Sequence, residues 1–108
     1  MIPEITPAEL DAWRKDAARE APFVLDVREP WESERASLPG VTLIPMREIP
    51  ARVAELPAER EVVVMCHHGG RSANAAQWLA RNGFARVYNL AGGIDAWSRT
   101  VDPAVPRY

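Results

Sequence analysis

The sequence predicts an α/β fold in which short β-strands alternate with α-helices. Four short runs of β-prone residues lie at 22–27, 40–45, 61–66 and 85–90, and segments with helical spacing or helix-capping residues lie before, between and after them. The third run, EVVVMC, is apolar almost throughout, which is typical of a strand covered on both faces. This alternation favours a parallel sheet with helices on both faces.

The first helix is predicted from a capping box in TPAELDAW. Thr6 is the expected N-cap, Pro7 occupies the first helical position, and Glu9 completes the box three residues after the cap. We expect this helix to run to about Arg19 and the first strand of the pattern to follow it.

The two middle helical segments flank the second strand. EPWESERASLPG, between the first two strands, has room for one or two helical turns. After the second strand, MREIPARVAEL carries Ile49, Val53 and Leu56 at helical spacing, and Pro57 is expected to end this helix.

The last two helices follow the third and fourth strands. Residues 72–82 carry an apolar stripe at helical spacing, and Gly83 supplies the left-handed residue that commonly ends a helix. A short helix is expected in GGIDAWS, and a Pro-rich tail, residues 101–108, ends the sequence.

Length, charge and hydropathy bound the class of function. A sequence of 108 residues predicts a single domain spanning 1–108, with its core at about 17–100. With 13 Lys and Arg against 15 Asp and Glu and no basic cluster, nucleic acid is not an expected partner. The N-terminus lacks the pattern of a signal peptide, and the longest apolar run, 62–66, is too short to span a bilayer. We therefore expect a cytoplasmic protein with no membrane partner.

The one cysteine of the chain, Cys66, is the first candidate for chemistry. It lies in VVVMCHHGGRS, where the most apolar strand gives way to the helix expected to begin near Ser72. Ligands of open parallel sheets bind at such strand ends. Gly69 and Gly70 allow the loop to curl its N–H groups toward a common centre, and the helix adds the positive end of its dipole. A lone cysteine is also compatible with buried packing, but this loop predicts that residues 67–71 form a substrate-binding anion cradle with the sulfur at its floor.

An anion cradle changes the chemistry expected of a thiol. An ordinary cysteine thiol has a pKa near 8.5, and lowering such a value by about 2 units requires roughly 2.7 kcal/mol of preferential stabilisation of the anion. We expect the helix N-terminus, the loop amides and Arg71 to supply it together. We therefore predict that Cys66 is a thiolate nucleophile, and that Arg71 reaches over the rim to pair with an oxyanion substrate.

Four motifs in register extend this prediction to nearly the whole chain. They are VLDVREPWE (24–32), LPGVTLIPM (38–46), CHHGGRS (66–72) and LAGGIDAW (90–97). Their order and spacing resemble those of single-domain rhodaneses, which are sulfurtransferases. The resemblance implies a doubly wound fold built on a central, mostly parallel, five-stranded sheet.

The resemblance also implies a reaction. Cys66 would take a sulfane sulfur from a small anionic donor such as thiosulfate, become a persulfide, and pass the sulfur to cyanide or to a small or protein thiol. No cofactor is implied. An alternative is a sulfur-relay module whose acceptor is a partner enzyme, such as one of molybdopterin or thiouridine synthesis.

Loop length distinguishes this chemistry from oxyanion chemistry on the same kind of fold. Rhodanese-like loops have six residues, as from Cys66 to Arg71, whereas related phosphatases and arsenate reductases have seven. A smaller ring of amides suits one sulfur atom better than a tetrahedral phosphate. The sequence therefore favours sulfur transfer and leaves arsenate reduction or phosphatase activity as the less favoured alternative.

The chain departs from the family pattern at one place. Many rhodaneses have Gly-His-Ile-Pro-Gly-Ala where this chain has ASLPGV, so that Ala36, Ser37 and Leu38 replace the small residue, the histidine and the aliphatic residue. The missing histidine is not the nucleophile, and its replacement bears on the shape of the pocket and on substrate preference.

Several polar residues are candidates for supporting roles. Asp26 and Arg28 lie at the end of a strand expected beside that of the cysteine. Asp26 would accept hydrogen bonds from the active loop, and Arg28 would form an ion pair or face the substrate. The alternative is that both belong to a purely structural network. Ser72 would bond the persulfide or cap its helix. His67 and His68 would add polarity at the mouth, one of them as a cation. No metal is expected, since adjacent histidines rarely direct both rings at one ion.

Overall fold

The computed structural model describes residues 2–108. Within that range the strands are β1 (Glu4–Ile5), β2 (Phe23–Asp26), β3 (Thr42–Leu43), β4 (Val62–Met65) and β5 (Val87–Leu90). The α-helices are α1 (Pro7–Lys15), α2 (Pro30–Arg35), α3 (Ile49–Arg52), α4 (Gly70–Arg81) and α5 (Gly93–Thr100).

The five strands form one sheet in the order β1-β5-β4-β2-β3, and every pairing is parallel. The expected α/β fold with a five-stranded parallel sheet is confirmed. β4 lies at the centre, and its last residue, Met65, is level with Asp26 at the end of β2. The carboxyl ends of these two neighbouring strands therefore meet at the edge of the sheet where the cysteine loop begins.

The central strand is covered on both faces, as its composition predicts. Val62 and Val64 pack in one apolar cluster together with residues of α4, whereas Val63 and Met65 pack in a second cluster with residues of α1 and α5. All four side chains are fully buried. Burying a side chain of this size contributes about 1.5–3 kcal/mol, so these two clusters hold β4, and the loop that follows it, in a fixed position.

The first helix and the first strand differ from the sequence prediction. The capping box of Thr6 and Glu9 is present, but α1 ends at Lys15 rather than near Arg19. The side chain of Asp16 accepts a hydrogen bond from the backbone N–H of Ala18, which replaces the helical bonding pattern with a turn. β1 was not predicted, because two residues are too few to show a strand period.

The later elements are present with shifted bounds. α4 begins at Gly70 rather than Ser72, and Gly83 has the predicted left-handed conformation after it, with φ +97°. The helix expected after β3 is instead divided, with α3 between two short 3-10 turns at 46–48 and 53–55. Pro50, the second residue of α3, has no N–H to donate to the carbonyl of Met46, which separates α3 from the turn at 46–48.

The segment 101–108 packs back onto the domain. Val105 is buried in the cluster that contains Val63, and Tyr108 packs against the same cluster. The final residue is thereby brought close to the carboxyl ends of β2 and β4. Within residues 2–108, none of the helices has both the length and the apolar character needed to cross a membrane.

Candidate active site

The sulfur of Cys66 lies at the carboxyl end of β4 and accepts hydrogen bonds from the loop that follows. The backbone N–H of Gly69 is 3.1 Å from Sγ and that of Ser72 is 3.4 Å from it. The hydroxyl oxygen of Ser72 lies 3.3 Å from the same sulfur. Cys66 is only 1% exposed. The loop thus turns two peptide N–H groups toward a buried sulfur, in the sense that the glycine pattern predicts.

The opposite side of the loop is held by the N-terminus of α5. Two N–H groups in the first turn of α5 hold it. That of Ile94 donates to the carbonyl oxygen of Cys66 at 2.9 Å, and that of Asp95 donates to the carbonyl oxygen of His67 at 3.1 Å. Gly93 makes this approach possible, because a Cβ added there would lie 2.4 Å from both of these carbonyl oxygens. With its carbonyls bound outward to α5, the loop is left with N–H groups facing the sulfur. Gly93 of the LAGGIDAW motif therefore has a defined steric function.

Asn89, in the middle of β5, anchors the loop from a second direction. Its Nδ2 donates to the carbonyl oxygen of Gly69 and to Oε2 of Glu4, both at 3.1 Å, and Oδ1 accepts from the hydroxyl of Ser72 at 2.5 Å. Asn89 is 2% exposed. Sequence reasoning missed this residue; its signal was an amide in an otherwise apolar strand.

Arg71 does not stand free over the rim of the loop. Its guanidinium donates to both carboxylate oxygens of Glu32, at 2.6 and 2.9 Å. The hydrogen bonds from Arg71 lower the pKa of Glu32 to about 2, although burial acts in the opposite direction. Glu32 in turn raises the pKa of Arg71. The pair is therefore charged across the physiological pH range, with the Arg71 side chain 39% exposed and that of Glu32 4% exposed.

Arg28 is fully buried and its guanidinium is bonded on every side. Nε and Nη2 donate to the carboxylate of Asp26 at 2.9 and 2.8 Å, and Nη2 also donates to the carbonyl of Ala36 at 2.7 Å. Burial acts to lower the pKa of Arg28, but the bonds to Asp26 and Tyr108 outweigh it, and the pKa is raised. Within the described residues, only Arg28 donates to the carboxylate of Asp26. The hydrogen bonds expected from the active loop to Asp26 are therefore not formed.

Tyr108 connects the buried arginine to the loop. Its hydroxyl accepts from Nη1 of Arg28 at 2.9 Å and donates to Oε2 of Glu32 at 2.8 Å. Its ring stacks on that of His67, with centroids 3.8 Å apart and planes 7° apart. Trp31, which is 55% exposed, meets the Tyr108 ring edge-on. No sequence pattern singled out Glu32 or Tyr108.

The two histidines stack on each other, with ring centroids 3.9 Å apart. Burial, followed by the neighbouring His68, lowers the pKa of His67 and so favours the neutral form of its ring. Its Nε2 is buried and has no hydrogen-bond partner among the described residues. The lowered pKa of His67 thus opposes a cation at this histidine, the role expected of one of the pair.

The same histidines approach Asp95, and ligand atoms of the three residues lie within 4.8 Å of one another. The arrangement does not fit a metal ion. The two rings are within 28° of parallel, so their in-plane lone pairs cannot converge on one point. The carboxylate of Asp95 is already paired with Arg99 at 3.0 Å and with Arg107 at 2.9 Å.

The turn that departs from the family pattern supports the arginine network. Ala36 and Leu38 are buried, whereas Ser37, at the position of the family histidine, is exposed. The carbonyl of Ala36 accepts from Arg28. The substitution of histidine by serine therefore removes a ring at the surface of this turn and leaves its backbone contact with Arg28 in place.

Comparisons with known proteins agree with this architecture. The rhodanese-like domain model matches residues 6–100. A sulfurtransferase of Allochromatium vinosum is 38% identical over 105 residues, covering 97% of this chain and 96% of the relative. Two longer relatives are "Rhodanese-like/PpiC domain-containing protein 12, chloroplastic" of Arabidopsis thaliana, 46% identical over 89 residues, and the sulfur carrier candidate YrkF of Bacillus subtilis, 39% identical over 98 residues. These matches cover 79% and 90% of this chain, but the chain spans only 30% and 51% of those two relatives.

Solved structures show the same fold. A crystal structure of a Staphylococcus saprophyticus protein superposes with a TM-score of 0.84 at 30% identity, covering 98% of this chain and 100% of that one. The all-parallel sheet, the cysteine loop at the end of its central strand and the match over residues 6–100 lead to one conclusion. The chain belongs to the rhodanese-like domain family and is related to small sulfurtransferases.

Proposed function

We propose that the protein is a sulfurtransferase that carries a sulfane sulfur on Cys66. The Cys66 thiolate attacks the outer sulfur of a donor such as thiosulfate, the S–S bond of the donor breaks, and sulfite leaves with the electron pair. The product is a cysteine persulfide. Cyanide or a thiolate then attacks the outer sulfur, takes it as thiocyanate or as a new persulfide, and returns Cys66 to the thiolate.

The observation that carries the proposal is the set of hydrogen-bond donors around Sγ. The backbone N–H groups of Gly69 and Ser72 point at the sulfur, and they are fixed there before any substrate binds, because α5 and Asn89 hold the carbonyl side of the loop. Preorganised donors of this kind stabilise negative charge on a leaving or attacking atom without the cost of reorienting water. Both the thiolate and the persulfide carry such a charge.

Arg71 supports the proposal in a different way. Its bidentate contact with Glu32 fixes the guanidinium at the first turn of α4 and keeps it protonated. A fixed positive charge beside the loop attracts an anionic sulfur donor. For Arg71 to pair with the sulfur donor itself, part of its guanidinium must be released from Glu32. We propose that the exposed edge of the guanidinium makes the contact with the donor.

The test is the rate of thiocyanate formation from thiosulfate and cyanide by the purified protein. Wild type is expected to turn over, and Cys66→Ala and Cys66→Ser are expected to lose the activity, because neither side chain forms a persulfide. Activity that survives in Cys66→Ala would contradict the proposal. Turnover of arsenate or aryl phosphates by wild type would instead favour oxyanion chemistry.

A second candidate function is sulfur relay to a partner protein, and the similarity to the sulfur carrier candidate of Bacillus subtilis favours it. In a relay protein, thiosulfate and cyanide would react slowly, whereas a preformed Cys66 persulfide would pass its sulfur rapidly to a protein thiol. Comparing single-turnover transfer from the persulfide to cyanide and to a reduced protein thiol separates the two. Faster transfer to cyanide than to every thiol tried would contradict the relay function.

A further inference from the structure

The hydroxyl of Ser72 has two neighbours and a single hydrogen. Its oxygen lies 2.5 Å from Oδ1 of Asn89 and 3.3 Å from Sγ of Cys66. A hydroxyl donates one hydrogen bond and accepts others, so it cannot donate to both atoms at once. Which atom receives the hydrogen decides whether Ser72 favours the thiol or the thiolate.

The orientation of the Asn89 amide settles that question. Its Nδ2 has two hydrogens and faces two acceptors, the Gly69 carbonyl and the Glu4 carboxylate, each at 3.1 Å. Turning the amide over would place its oxygen against both of these acceptors. Oδ1 is therefore directed at Ser72 and, having no hydrogen, can only accept.

The orientation of the Asn89 amide fixes which atom donates and which accepts in each hydrogen bond of this cluster. Ser72 gives its hydrogen to Asn89, over a distance that is short even for two oxygen atoms. The lone pairs of its oxygen then face Sγ, where they accept the hydrogen of a neutral thiol. The sulfur itself accepts from the N–H groups of Gly69 and Ser72. Every hydrogen in this cluster has one acceptor when Cys66 is protonated.

We propose that Asn89 is a positioning residue that makes Ser72 a charge-dependent rotor. When Cys66 is a thiol, the Ser72 hydroxyl points at Asn89 and accepts from S–H. When Cys66 loses its proton to solvent, or carries a persulfide, the hydroxyl turns to donate to the sulfur and gives up its bond to Asn89. The competing acceptor at Asn89 thus disfavours the anionic form of Cys66, whereas the two backbone N–H groups stabilise it.

The first test is the infrared S–H stretching band, which falls in frequency when the S–H group donates a hydrogen bond. Cys66 is the chain's only cysteine, so the band has one origin. The wild-type band is expected at lower frequency than that of Ser72→Ala, in which the acceptor is absent. Equal frequencies in the two proteins would overturn the proposal, and this comparison does not require any change at Asn89.

The second test is the rate of alkylation by iodoacetamide at one fixed pH. Asn89→Leu removes the competing acceptor with little change in volume and frees the hydroxyl to donate to the sulfur. In the wild-type anion the hydroxyl donates to the sulfur only by giving up its neutral hydrogen bond to Asn89, so removing that competing bond raises the thiolate fraction about fivefold. The lower nucleophilicity of a stabilised thiolate reduces the gain to about twofold in rate. In a Ser72→Ala background the same change is expected to give no gain.

The control is Glu4→Ala, which removes one acceptor from Nδ2 and leaves the contact between Ser72 and Asn89 in place. Its alkylation rate is expected to stay near that of wild type. An unchanged or slower rate in Asn89→Leu, or a gain that persists without the Ser72 hydroxyl, would show that Asn89 is only a structural anchor. The inference rests on the proposed function only in taking Cys66 as the reacting atom. Neither test uses a sulfur donor, so its failure is distinct from a failure of sulfur transfer.

Discussion

Gly93 offers a sharp test of how the cysteine loop is held. In Gly93→Ala, the added Cβ lies 2.4 Å from the carbonyl oxygens of Cys66 and His67, and both contacts are with backbone. The two carbonyls must therefore move, and with them the hydrogen bonds that they accept from α5. Because these bonds keep the N–H groups turned toward the sulfur, we expect both stability and chemistry to suffer.

The magnitude follows from three contributions. An alanine at the φ of Gly93, +61°, costs about 1–2 kcal/mol. The steric overlap adds about 1–3 kcal/mol, and two weakened backbone hydrogen bonds add about 1 kcal/mol each. Gly83→Ala is the matched control, since Gly83 also has a positive φ, +97°, but a Cβ there meets nothing within 4 Å. The control therefore carries the backbone strain alone, about 1–2 kcal/mol.

The assay is thermal unfolding, followed by the rate of sulfur transfer well below both melting temperatures. For a domain near 100 residues each kcal/mol lowers Tm by about 4–8 °C. The Tm of Gly93→Ala is therefore expected to fall at least twice as far below that of wild type as the Tm of Gly83→Ala. At equal folded fraction, only Gly93→Ala is expected to lose transfer activity. Equal Tm values together with full activity in Gly93→Ala would refute the account of how α5 holds the loop.

Three further predictions concern the charged and aromatic network beside the loop. Arg71→Lys loses the planar fork that binds Glu32 and is expected to lower persulfide formation from thiosulfate at least about tenfold; full activity would show that the guanidinium serves only as an anchor. The pKa of Glu32, about 2 against an ordinary 4.5, means that its ionised form stabilises the fold above pH 4.5 and that this contribution is lost as pH falls toward 2. In denaturant unfolding, the free energy of unfolding of wild type is therefore expected to exceed that of Glu32→Gln above pH 4.5, and the difference is expected to shrink as pH falls toward 2. A difference that does not change with pH would contradict the assignment. Tyr108→Phe keeps the ring but leaves Arg28 and Glu32 without the hydroxyl, which is expected to cost about 1–2 kcal/mol in unfolding free energy. Tyr88→Phe is the control, because the hydroxyl of Tyr88 forms no hydrogen bond within residues 2–108. A loss of unfolding free energy as large in Tyr88→Phe would contradict this reasoning.

The fold was predictable because its main signals are local. The capping box of Thr6 and Glu9, the apolar run of β4 and the glycine after α4 each act over a few residues. β1 could not be found this way, since its two residues are held by pairing with β5 rather than by their own period. The end of α1 was also missed, because one side chain, Asp16, competes with the helix for a backbone N–H.

The same distinction applies to the site. Cys66, Gly69 and Ser72 lie within one loop, and their convergence follows from the glycines and the helix that begins there. The residues that fix this loop are distant in sequence. Glu32 is 39 positions from Arg71, Asn89 is 17 positions from Ser72, and Tyr108 is 76 positions from Glu32. Their contacts arise from the order of the strands, which no spacing within the sequence displays.

The central claim is that Cys66, surrounded by hydrogen-bond donors, carries an added sulfur. Intact-mass analysis of the protein after incubation with thiosulfate, and again after cyanide, measures this directly. Wild type is expected to gain the mass of one sulfur atom and then lose it, whereas Cys66→Ala is expected to keep its original mass throughout. A wild-type mass that stays unchanged with thiosulfate and with every other sulfane donor tried would contradict the claim.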